Sequence, residues 1–157
     1  MFKISLSKLT SLLLLAILVI SAGCKEKQDK IDDDLIQDYL NANNLDAESN
    51  INGLYYIIDY EGDGDRPTEF STVKVIYKGY FLDGEVFDES DEDGAIFDLQ
   101  TTISGWQQGL QKFRENGYGT LIVPSHLAYG SSGNSSSDPV IPPNTVLAFD
   151  IELVKVY

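Results

Sequence analysis

The end of the chain, residues 145 to 157, restricts the fold more than any other segment. Leu147, Phe149, Ile151 and Leu153 alternate there with Asp150, Glu152 and Lys155. A period of two sends successive side chains to opposite faces of a strand. The segment therefore reads as a long strand with one buried and one wet face. Three more stretches have strand character. Leu54–Tyr60 is β-branched and aromatic, and the loop Glu61–Pro67 ends it. In Val73–Phe81, Val73, Val75 and Tyr77 face one way and Lys74 and Lys78 the other. Asp83-Gly84 is a tight-turn dipeptide, after which Glu85–Asp88 returns. Tyr118–Pro124 is a strand that stops at its proline.

Against these strands stands one short helical stretch, Ile103–Leu110. Ile103, Trp106, Leu110 and Phe113 recur at helical spacing and give one apolar face. Trp106 is the only tryptophan, and it sits between Gly105 and Gly109. Each glycine costs a helix about 1 kcal/mol against alanine. Such a pattern makes sense where something must approach the Trp face closely. The same residues also suit simple core filling.

The N-terminus reads as an address. Lys3 and Lys8 precede the unbroken apolar run Leu12–Ile20, and Ser21, Ala22, Gly23 and Cys24 follow. A basic start, a short apolar core and small residues at the exit make a signal peptide over residues 1–23. Cys24 resembles the lipidated cysteine of a bacterial lipobox, with Ser21 where leucine is usual. It is the sole cysteine, so no intrachain disulfide can form. Without residues 1–23, 9 basic residues face 25 acidic ones, a net charge of −16. That excess argues against nucleic acid or an anionic lipid surface as partner. Attachment to a membrane would come from acyl chains on Cys24.

Residues 24–52 read as a lipidated cysteine, an acidic linker and a short helix. Lys25–Asp34 has almost nothing to bury and suits a tether. Ile31, Leu35, Tyr39 and Leu40 predict a helix over about 31–43, with Asp32–Asp34 at its favourable N-terminus. Asn41–Asn52 is a polar connector. The helix is free to pack on the domain, on a partner or on a second copy. Residues 53–157 form the domain itself.

Most catalytic chemistry is excluded by residue type. His126 is the only histidine, so no zinc set and no serine triad can be assembled, and it reads as a loop residue. Glu89–Gln100 matches a calcium loop at Glu89, Asp91, Asp93 and Gly94, but Gln100 stands where the last ligand should be Glu. A solvated acidic loop is the better reading, so no metal and no cofactor are expected. Gly130–Asp138 is a Gly- and Ser-rich flap that suits a loop over a cleft or a tolerated insertion.

Taken in order, the pieces carry a resemblance. V-x-V-x-Y-x-G-x-x-x-D-G-x-x-F-D from Val73 to Asp88 is followed by I-x-G-W-x-x-G-L, L-A-Y-G and I-P-P-N-T-V-L-x-F-D-I-E-L. This run resembles the FKBP-type peptidyl-prolyl isomerases, and with the lipobox it is similar to their membrane-anchored bacterial forms. The resemblance implies an α+β fold, an antiparallel half-barrel sheet wrapped around one short central helix. It implies an apolar cavity between sheet and helix, with Trp106 as its floor. Tyr77, Phe87, Ile103 and Phe149 would form the walls and Asp88 the one acid at the rim. Tyr129 would offer its hydroxyl, and Ile103 its backbone N–H, to a substrate carbonyl. Phe97, Thr102, Val140 and Ile141 would complete the substrate contacts. Thr102 stands where the family usually has Val, and Ala95 where a pocket aromatic is common. The implied activity is isomerisation of X–Pro bonds in exported proteins, with proline-containing polypeptides as substrates and macrolides as ligands. The implied place is the bacterial cell envelope, lipid-anchored to the outer membrane and facing the periplasm or the cell surface. The competing reading is a catalytically weak chaperone or an assembly subunit of an envelope machine that uses the same pocket for binding.

Overall fold

The computed structural model of the chain describes residues 26–157. The signal peptide and Cys24 lie outside the described residues. A helix, α1, runs through residues 26–43. Then come β1 (Glu48–Ser49), β2 (Tyr55–Tyr60), β3 (Thr72–Phe81), β4 (Val86–Glu89) and β5 (Ala95–Asp98). The short helix α2 (Ser104–Gly109) follows, and the chain closes with β6 (Gly117–Val123) and β7 (Leu147–Val156).

The seven strands form one antiparallel sheet in the order β1-β2-β6-β7-β3-β4, with β5 also on β3. β4 pairs with Lys78–Tyr80 and β5 with Thr72–Val75, so both use the same edge of β3. The acidic segment 90–94 only joins these two strands, and no helices flank it as a calcium loop of the helix-loop-helix kind would require. Along β7 the expected alternation holds: Leu147, Phe149, Ile151 and Leu153 are buried, whereas Glu152 and Lys155 are exposed. The helix α2 touches side chains from four strands. Trp106 meets Tyr77 of β3, Phe97 of β5 and Phe149 of β7, while Gly105 and Gly109 face Val123 and Leu121 of β6. One short helix can meet all four only if the sheet bends around it.

The glycines of α2 thus have a reason in the sheet. A Cβ at Gly105 would overlap the side chain of Val123, and one at Gly109 the side chain of Leu121. What approaches the helix closely is strand β6. The apolar face of the helix is core filling as well, since Trp106, Leu110 and Phe113 belong to the main buried cluster.

The N-terminal helix departs from its sequence reading in extent and in face. It is already formed at residue 26, so Lys25–Asp34 is helix rather than tether from that point on. Its buried apolar residues are Ile36 and Leu40, which pack with Tyr55, Ile122 and Val146 on the outer side of the sheet. Ile31 and Leu35 remain exposed. The polarity that suggested a tether has a different cause, because Asp32 is fully buried and hydrogen-bonded to Ser125. Part of the Asn-rich connector is also ordered into β1, which adds an edge to the sheet. Among the described residues no helix is long and apolar enough to cross a membrane.

Candidate active site

A cavity of about 260 Å³ opens between the sheet and α2. Tyr77, Phe87, Phe97, Ile103, Trp106 and Phe149 supply most of its wall, and Asp88, Thr101, Thr102 and Tyr129 complete it. The rings hold one another edge-on. Trp106 lies 5.1 Å from Tyr77, 5.1 Å from Phe97 and 5.5 Å from Phe149, with interplanar angles of 86°, 79° and 79°. Phe87 meets Phe149 at 5.6 Å and 88°. Edge-to-face pairs of this kind contribute about 0.5–1.5 kcal/mol each beyond area burial, so the lining is rigid.

Local sequence places each wall residue. Gly79 in β3 is bare because Phe87 and Phe149 pack over it, and an added Cβ would lie 2.7 Å from Phe87. Tyr77 is pinned through its backbone to Ser90, with N–H to Oγ at 3.1 Å and Ser90 N–H to the Tyr77 carbonyl at 3.0 Å. Thr102 donates its hydroxyl and its N–H to the Leu99 carbonyl, which fixes the turn into α2. The hydroxyl of this departure from the family pattern is therefore used internally.

The polar groups fall into two sets. The Tyr77 hydroxyl donates to Asp88 Oδ2 at 2.7 Å. Burial first, then this bond and the Asp88 charge, push the Tyr77 hydroxyl well above the usual tyrosine range. It stays protonated and keeps the rim carboxylate satisfied. The second set has no partner among the described residues: the backbone N–H of Ile103 and the hydroxyl of Tyr129. The indole N–H of Trp106 is also buried without an oxygen or nitrogen acceptor, surrounded by aromatic rings. The cavity is a greasy socket with two unspent donors on its wall.

The expected contacts do not all converge. Ile141 is buried in the main core and does not line the cavity. Val140 is exposed and borders a separate groove with Leu35, Phe81 and Pro142. Thr101 lines the cavity although nothing in its sequence context singles it out. A second hollow of about 340 Å³ lies between α1 and the 124–126 turn, lined by Asp29, Asp33, Asn52 and His126. It has no aromatic wall, so the smaller cavity is the better candidate. His126 sits exposed on that turn, with Nδ1 3.2 Å from Asp29 Oδ1 and Nε2 3.1 Å from the Asn52 carbonyl oxygen. Among the described residues no cluster of side chains suits a metal ion.

The profile described as FKBP-type peptidyl-prolyl cis-trans isomerase matches residues 64–154, more than half of the chain. The chain belongs to the FKBP family. A probable FKBP-type isomerase FkpA of Neisseria meningitidis serogroup B is 39% identical over 112 residues, which is 70% of this chain and 40% of that protein. The crystal structure of FkpA from Escherichia coli superposes with a TM-score of 0.70 at 31% identity, over 98% of this chain and 74% of that one. A peptidyl-prolyl cis-trans isomerase from Pseudomonas syringae gives 0.69 at 29% identity, over 83% of this chain and 94% of that one. The FKBP chain thus spans about two fifths of the length of the curated FkpA relatives it matches.

Proposed function

We propose that this FKBP-family chain is a peptidyl-prolyl cis-trans isomerase that acts on X–Pro bonds of exported polypeptides. The observation that carries the reading is the aromatic socket floored by Trp106 with two unspent donors, Ile103 N–H and Tyr129 O–H, at its wall. Tyr77, Phe87, Ile103, Trp106 and Phe149 enclose the proline ring, Phe97 and Thr102 contact the flanking residues, and Asp88 keeps the Tyr77 hydroxyl in place. Val140 and Ile141 contribute from the adjoining loop, Val140 from the neighbouring groove and Ile141 as support rather than wall. Macrolide ligands would occupy the same socket.

The chemistry needs no nucleophile. Rotation about a prolyl bond passes a barrier of about 18–20 kcal/mol because the twisted amide loses its resonance. The planar amide carries more charge on its oxygen than the twisted one does. A dry aromatic wall therefore stabilises the planar, polar ground state less well than water does, and this narrows the gap to the twisted state. The two free donors can hold the carbonyls that flank the rotating bond. Raising a rate from about 0.01 to about 100 per second requires only about 5.5 kcal/mol. Several aromatic contacts and two hydrogen bonds are of that order.

Lipid attachment at Cys24 would hold the domain at the bacterial envelope, in the outer membrane facing the periplasm or the cell surface. The domain boundaries follow the same reading: signal peptide 1–23, anchor and helix 24–52, isomerase domain 53–157. A binding module with little turnover, a chaperone or an envelope assembly subunit, is the second reading. Ala95 and Thr102, the two departures from the family pattern, favour it.

A proline-peptide isomerisation assay on the full-length chain decides between them. Phe87→Ala and Asp88→Ala are expected to lower kcat/KM, and no rate above the uncatalysed one across several X–Pro peptides would reject the enzyme. Metabolic labelling with a palmitate analogue tests the anchor. The label should appear on the wild type and vanish in Cys24→Ser.

A further inference from the structure

The segment Pro124–Gly130 carries Tyr129 to the socket, and its anchor lies on the far side of the sheet. Residues Ser125–Leu127 form a single 3-10 turn that follows Pro124. Pro124 at the N-cap has no side chain that can accept a hydrogen bond, so the turn cannot cap its own first N–H groups. Its first N–H, that of Ser125, is instead taken by Asp32 of α1. Asp32 Oδ2 accepts from Ser125 N–H at 2.8 Å and from Ser125 Oγ at 2.6 Å. Gln28 Nε2, one turn earlier on α1, donates to Asp32 Oδ1 at 2.8 Å.

Asp32 is fully buried, and Ser125 nearly so at 1% exposure. Burying a carboxylate is costly, and apolar packing would fasten α1 to the sheet without that cost. Ile36 and Leu40 already provide such packing. What a carboxylate adds is direction: charge-assisted bonds to one backbone N–H and one hydroxyl fix the turn in register. The turn is clamped on its other side by Leu127, whose side chain is in the main core. Ala128 N–H returns to the Ser125 carbonyl at 3.0 Å, and the next residue is Tyr129. The path from Asp32 to the Tyr129 backbone is therefore one turn of chain with both ends held. Asp32 lies outside the stretch matched by the FKBP profile, 64–154, while Ser125 and Tyr129 lie inside it.

We propose that Asp32 is a positioning residue for the isomerase, holding the 124–130 segment so that the Tyr129 hydroxyl meets the substrate carbonyl. Helix α1 is then a working part of the catalytic unit. This rests on the role given to Tyr129 under the proposed function.

The test is a double-mutant cycle on the full-length chain, read as kcat/KM for an X–Pro peptide with thermal unfolding measured alongside. Tyr129→Phe and Asp32→Ala are each expected to lower kcat/KM about tenfold, the order of one hydrogen bond lost or misplaced. If Asp32 acts through Tyr129, adding Asp32→Ala to Tyr129→Phe costs less than about twofold more. Asp32→Asn keeps an acceptor oxygen for Ser125 and should recover most of the loss, a rescue that general loosening would not give. Should Asp32→Ala fail to fold at the assay temperature, Ser125→Ala, which removes one of the two bonds, takes its place in the cycle. An unchanged kcat/KM in folded Asp32→Ala, with Tyr129→Phe costly, overturns the positioning role alone. A full further loss in the Tyr129→Phe background overturns it too. A silent Tyr129→Phe overturns the role of Tyr129 itself and the positioning role with it.

Discussion

Gly105→Ala sets helix propensity against packing, and the structure says which wins. Propensity alone predicts a gain of up to about 1 kcal/mol, since alanine is the better helix former. The new methyl, however, would overlap Cγ1 of Val123, with Cγ2 at 2.9 Å and Cβ at 3.2 Å. Val123 is fully buried in β6, and its branched side chain is stiff about χ1. It cannot swing away, so helix and strand must separate. Overpacking of this kind costs about 1–3 kcal/mol. Set against the propensity gain, the net expectation is a destabilisation of up to about 2 kcal/mol, and a fall in Tm of up to about 8 °C for a chain of this size. Because Trp106 is the next residue, the shift should also lower kcat/KM. Gly109→Ala is the internal comparison. Its methyl meets the far end of Leu121, Cδ2 at 2.7 Å, and a leucine with two rotatable bonds can repack. Its cost should stay within about 1 kcal/mol. Val123→Ala in the Gly105→Ala background should recover part of the loss. Thermal unfolding of the three variants beside the wild type gives the answer. A Gly105→Ala protein as stable as the wild type, or no recovery with Val123→Ala, would refute the claim that β6 dictates the glycine.

Two further expectations follow from burial and charge. Ile36→Ala, at a fully buried position of α1, should cost about 2–5 kcal/mol in urea unfolding, whereas Leu35→Ala at an exposed one should cost under about 0.5 kcal/mol; equal effects would mean that α1 does not dock by this face. The Tyr77 hydroxyl ionises well above its ordinary value of 10.0, first through burial and then through Asp88. A raised value means that its contribution to stability is complete below pH 10 and is lost as the pH climbs through the folded-state value. In an absorbance titration of the nine tyrosines, Tyr77→Phe should remove one of the last to ionise; loss of a group with an ordinary midpoint would contradict the Tyr77–Asp88 bond.

Much of the sheet was legible in the chain because its signals are local. Alternation along 147–156 names the buried face of β7 whatever it packs against. The run from Val73 to Asp88 shows strand, turn and return within a few residues, and the structure has β3 and β4 there. The aromatic wall could be anticipated residue by residue through the family pattern, and the structure gathers Tyr77, Phe87, Phe97, Trp106 and Phe149 around one cavity. Val140 and Ile141 were harder, because which of two neighbouring loop residues turns inward depends on how the loop seats and not on its composition. The start of the N-terminal helix was misjudged for a similar reason. Its polar start looked like a tether because burial of a carboxylate is unfavourable until a partner is in place.

The amino-acid sequence by itself determined five of the seven strands, the short Trp-bearing helix and the residue types that make an apolar pocket. Periodicity of two or 3.6 is set by neighbours a few positions away, so it survives without knowledge of the fold. Only the tertiary structure decided why α2 carries two glycines, which face of α1 is buried and what Asp32 is for. Those answers rest on Val123 and Leu121 pressing on a helix from another element, and on a hydrogen bond between residues 93 positions apart. No local pattern records a contact whose partner arrives only when the sheet has bent.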